Sequence, residues 1–97
     1  MPSILYANTI DYNHPLQQRP HHIMRLLADR GWEVHWVNTK QEEGVRPDRF
    51  GTITVWHSFS QFCKRVKKVD VHFVSWAARH VDLDKIESDL VCYDSLD

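Results

Sequence analysis

The sequence predicts an α/β domain built on a parallel, Rossmann-like sheet of about five strands, in the order 3-2-1-4-5. Three observations predict it. Short runs of β-forming residues recur along the chain, and the intervals between them suit crossovers rather than hairpins. Two of those intervals carry amphipathic helix patterns with recognisable start or stop signals. The composition, 97 residues with 42% apolar and 26% charged, is that of one ordinary globular domain near the lower size limit for a single core.

The first strand is read at residues 3–8, "SILYAN", and a long loop over 9–19 follows it. A helix then runs through "PHHIMRLLADRG". Pro20 sits where a first turn tolerates it, Ile23, Met24, Leu26 and Leu27 form a broad stripe, and Gly31 stops the helix. The second strand is "WEVHWVN", residues 32–38. Residues 39–51 hold two glycines and a proline with no sustained period, which predicts a crossover without a helix.

"TITVWH" is the third strand. The second helix follows, with Phe59, Phe62, Cys63 and Val66 at i, i+3, i+4 and i+7, and Lys64, Arg65, Lys67 and Lys68 opposite. Ser58 and Gln61 make a capping-box pattern at its start. Residues 71–75 form the fourth strand and 90–94 the fifth. The interval 76–89 supports either one bent helix or two short pieces. The chain stops three residues after the fifth strand, where an α/β domain normally adds a covering helix. The expectation is a fragment of a larger protein, with an exposed last strand as a route to a homodimer.

Twelve Lys and Arg against thirteen Asp and Glu give a net charge of −1, so no global field draws the chain to nucleic acid or anionic lipid. Cys63 and Cys92 have apolar neighbours and there is no signal sequence or long apolar stretch, which suggests reduced, buried thiols in a cytoplasmic protein. No HExxH, CxxC or EF-hand spacing occurs, so the sequence makes no case for a metal, and no glycine-rich dinucleotide fingerprint follows the first strand. No cofactor is expected.

Ligands of such sheets bind beyond the carboxyl ends of the strands. Polar residues gather there: Asn8, Asp11, Asn13 and His14 after the first strand, Asn38 after the second, His57 and Ser58 after the third, Ser75 and Trp76 after the fourth, Asp94 and Asp97 after the fifth. Gln18, Arg19, His21 and His22 coincide with the unpaired N–H groups of the first helical turn, where a phosphate or carboxylate is held readily. Arg19 can grip either anion through two bonds, but Gln18 and Arg19 can equally cap and solvate the helix start. His21 and His22 point about 100° apart, so one can line the crevice while the other packs. Asp94 and Asp97 can share a helical face toward a sugar hydroxyl, or Asp97 can cap a following helix. His35 and His72 alternate with apolar neighbours and read as packed or surface residues.

"QRPHHIMRLLADRGWEVHWVN" at 18–38 resembles the start of bacterial glycosyltransferases of the two-domain GT-B fold, in the retaining, family 4-like group associated with cell-surface and teichuronic-acid-type polysaccharides. "VCYDSLD" at 91–97 is similar to that group's segment near the end of its fifth strand. The resemblance implies a truncated N-terminal part of a GT-B enzyme that receives the glycan acceptor and faces a C-terminal domain holding the nucleoside diphosphate sugar. Gln18, Arg19, His21, His22, Asp94 and Asp97 would line the cleft as substrate-binding residues. The isolated chain would be inactive, and the full-length form cytoplasmic or peripheral at the inner membrane face. The first loop, "TIDYNHPLQ", departs from the glycine-rich loop common in the wider family. The competing expectations are a stand-alone flavodoxin-like module that binds a small ligand or signals, and a structural partner module presenting the basic face of 59–68.

Overall fold

The computed structural model describes residues 2–7, 12, 19–38, 42–75 and 86–94. They form a small α/β domain with a mixed, mostly parallel sheet of six strands and two helices. In chain order these are β1 (Ser3–Ala7), α1 (Arg19–Asp29), β2 (Glu33–Val37), β3 (Asp48–Phe50), β4 (Ile53–Trp56), α2 (Phe59–Arg65), β5 (Lys68–Ser75) and β6 (Glu87–Asp94). The sheet order is β3-β4-β2-β1-β5-β6. Every pairing is parallel except β3 with β4.

That antiparallel strand corrects the expectation of an all-parallel sheet of about five strands. The interval 39–51 contains β3, which turns back into β4 through Gly51 and Thr52, with Phe50 opposite Ile53. Gly51 has φ 61°, and a two-residue hairpin connection favours glycine at this first turn position. All three β3 residues are exposed, so no buried alternation marks the strand in the sequence.

Alternating side chains of the parallel strands build a core on each face. Ile4, Tyr6, Val34, Trp36, Ile53, Val55 and Phe73 pack with Met24 of α1, and Ile23, Leu27 and Ala28 of the same helix lean against them. Leu5, Val37, Trp56, Val69 and Ile86 pack with Phe59 and Phe62 of α2 on the opposite face. Val69 faces α2 whereas Val71 faces α1, so the alternation breaks at Asp70. There the Asp70 N–H donates to Ser3 Oγ at 3.2 Å, and the Ser3 N–H donates to Asp70 Oδ2 at 2.8 Å. This reciprocal pair replaces ladder bonds where β1 meets β5.

The helix ends follow local chemistry. After α1 the Trp32 N–H donates to Leu27 O and the Gly31 N–H to Ala28 O, both at 3.0 Å. With Gly31 at φ 92° this is a Schellman motif, and the Leu27 and Trp32 side chains accompany it in the α1-side core. At α2 the Gln61 N–H donates to Ser58 Oγ at 3.2 Å. The reverse half of the capping box does not form. Ser58 Oγ donates to Glu43 at 2.8 Å, and Gln61 Oε1 has no partner among the described residues.

α2 stops at Arg65, shorter than the apolar spacing through Val66 suggests, because Lys68 already pairs with Glu87 in the sheet. β5 and β6 are accordingly longer than the expected 71–75 and 90–94. A Lys68–Asp89 ion pair at 3.0 Å bridges them, and hydrogen bonding to Asp89 pushes the Lys68 ammonium above its usual pKa. Cys63 and Cys92 form no disulfide. Cys63 is half-buried, and Cys92 is exposed on edge strand β6 rather than buried. No helix among the described residues is long and apolar enough to cross a membrane. The expectation for 76–89 falls largely on residues outside the described set; its last four residues include the start of β6.

Candidate functional site

Because β1, β2, β4, β5 and β6 run in one direction, their carboxyl ends form a single edge. α1 leaves β1 on one face of the sheet and α2 leaves β4 on the other, so the connections diverge on either side of β1. Such a divergence opens a crevice in parallel sheets.

Asn38, immediately after β2, organises this edge. Its backbone N–H donates to Trp56 O at 3.0 Å, and its side-chain Oδ1 accepts from the Tyr12 N–H at 3.0 Å. Tyr12, which lies between β1 and α1 in the chain, is thereby tied to the end of the neighbouring strand. Its ring stacks on Phe50 with centroids 5.4 Å apart and meets Trp36 edge-on, also at 5.4 Å. The Arg25 guanidinium lies 5.7 Å from the same ring, a cation–π distance.

This aromatic group sorts the two adjacent histidines. His21 is fully buried, its ring 4.7 Å from that of Trp36 and 6.2 Å from that of Tyr12. His22, one position on and turned by about 100°, is exposed. The helix start is therefore anchored through His21, with His22 on its exposed side. Arg19 is the first residue of α1, while Gln18 lies outside the described residues. Asp94 is the last residue of β6, opposite Ser75 of β5, and Asp97 lies outside the described residues.

A second polar group gathers after β4. His57 Nε2 is 3.0 Å from Asp48 Oδ2, and its backbone carbonyl accepts from the Glu42 N–H at 2.6 Å. Ser58, fully buried, holds Glu43 beside it. A carboxylate that accepts from one ring nitrogen fixes the imidazole and leaves the other nitrogen to accept or donate at the edge. Sequence reasoning placed His57 at this edge but missed Asp48, since Asp48 comes near only through the β3–β4 hairpin. The Gly51–Thr52 connection was the signal that could have revealed it. Tyr12 carried no such signal, because the sequence around it has no sustained period to read.

Among the described residues no three His, Cys, Asp or Glu side chains converge as a metal site. No family model, curated protein or solved structure matches this chain.

Proposed function

We propose that the chain is the acceptor-side, N-terminal domain of a retaining GT-B glycosyltransferase, and that its sheet is the Rossmann-like sheet of that domain. The observation that carries the reading is the placement of the "RPHH" segment. It opens α1 at the carboxyl edge, pinned by buried His21 with His22 exposed. The sheet order, with β1 between β2 and β5 and a helix on each face, agrees with it.

In the complete enzyme the bond from the anomeric carbon to the diphosphate breaks, and a bond to an acceptor hydroxyl forms on the same face of the sugar. The acceptor proton leaves with the diphosphate or a base. The C-terminal domain neutralises the diphosphate, and this domain holds the acceptor oxygen close to the anomeric carbon. His22, and His57 fixed by Asp48, are the described imidazoles at the edge that can bond an acceptor hydroxyl. Arg19 supplies a planar, permanently charged fork for an acidic glycan. Asp94 and, beyond the described residues, Gln18 and Asp97 complete the acceptor side.

Steady-state transfer by the full-length enzyme tests the reading. Arg19→Ala should lower kcat/KM at least tenfold, about 1.4 kcal/mol of transition-state stabilisation. An unchanged kcat/KM would make Arg19 a helix cap and remove it from the site.

A further inference from the structure

One row across the sheet is polar where its neighbours are apolar. The register runs Arg49, Thr54, His35, Leu5, His72, Val91 from β3 to β6. His35 and His72 flank Leu5 on the face that α2 covers, roughly 10 Å apart by two strand spacings, and each is about 95% buried. They occupy matching places in matching sequences, "EVHWV" in β2 and "DVHFV" in β5.

His35 is the better defined of the two. The Trp56 indole Nε1–H donates to His35 Nδ1 at 3.2 Å within the core. The imidazole proton therefore resides on Nε2, which stands 3.9 Å from Glu33 Oε2. The His35 ring lies 5.3 Å from Phe62 of α2, and Trp56 meets Phe62 edge-on at 5.5 Å. His35, Trp56 and Phe62 thus form one contact joining two strands to α2.

We propose that this contact is an acid-operated latch, in which protonation of His35 at Nδ1 releases α2 from the sheet. A proton on Nδ1 would set two N–H donors against each other inside an apolar core, and a buried donor left unmade is costly. The groups around His35 are Glu33 on its own strand, Arg49 on β3, neutral Thr54 and Trp56 on β4, Leu5 on β1 and His72 on β5. From α2 it meets Phe62, while Lys64 and Arg65 of that helix point to solvent. Burial holds the His35 imidazole below its ordinary pKa; Glu33 opposes this lowering and Arg49 adds to it.

The sign follows. The released or unfolded state takes up a proton near pH 6.5 and the docked state does not, so docking is at full strength above about pH 6.5 and weakens as pH falls below it. The limiting slope for one proton is tenfold in the docking equilibrium per pH unit.

Amide hydrogen exchange of the intact chain between pH 7.5 and 5, corrected for intrinsic exchange, tests the latch. Protection of the Phe62 and Cys63 amides should fall by up to tenfold per unit below about pH 6.5, while β1 amides stay protected. His35→Gln, whose side-chain carbonyl can still accept from Trp56 without titrating, should flatten that profile; His72→Gln should retain it. A flat wild-type profile, an unchanged slope in His35→Gln, or a slope abolished only by His72→Gln would overturn the proposal. Should His35→Gln fail to fold, ring nitrogen NMR of the wild-type chain decides. Protonation of His35 Nδ1 must coincide with movement of the Trp56 indole signal, and protonation without it would overturn the latch.

Discussion

Trp36 is fully buried where three elements meet, touching Tyr6 at 4.6 Å and His21 at 4.7 Å between ring centroids, with Tyr12 edge-on. Trp36→Ala should cost about 3–5 kcal/mol in chemical denaturation, the range for removing a buried large aromatic. Because the same ring supports His21, the variant should also loosen the start of α1, visible as faster amide exchange at residues 21–24. His21 and His22 teach the limit of reading single residues. Their adjacency implies only that both cannot easily face one ligand, and the ring contacts say which of them packs. His35 and His72 were legible as packed or surface residues from their apolar neighbours, and both are buried. Their burial on one face under α2 depends on strand register, which no local pattern contains.

At the scale of elements, β1, β2 and β4 were readable because branched and aromatic residues dominate them and their burial is nearly continuous. β3 was not, since Asp48, Arg49 and Phe50 are all exposed and the strand exists by pairing with β4. Its turn should be sensitive to Gly51. A Cβ there meets nothing within 4 Å, so Gly51→Ala tests backbone strain alone at φ 61° and should destabilise by about 1 kcal/mol. A change of zero in the urea midpoint would mean the turn adjusts freely. The start of α2 was legible from Ser58 and Gln61, although the reciprocal glutamine bond does not form and the Ser58 hydroxyl donates to Glu43. Ser58→Ala should cost roughly 0.5–2 kcal/mol, at the upper end if Glu43 is also left without its donor. The lengths of β5 and β6 escaped the sequence because Lys68, Asp70, Glu87 and Asp89 are poor strand formers, and cross-strand pairing overrides that preference.

For the whole molecule, the parallel ladder sets where function can lie, since it gathers the ends of five strands on one edge. Asn38, Tyr12, His22, His57 and the start of α1 are brought there by topology, from positions far apart in the chain. The proposed acceptor site is tested most directly by titrating the isotopically labelled chain separately with the two substrate classes the proposal names and following backbone amide signals. An acidic oligosaccharide should shift the amides of Arg19, His21, His22, Asn38 and His57 at roughly 10 mM, a concentration that detects millimolar affinity, while a nucleoside diphosphate sugar leaves them in place. Shifts produced by the nucleotide sugar instead, or no shifts at this edge with either ligand, would contradict the acceptor-domain account.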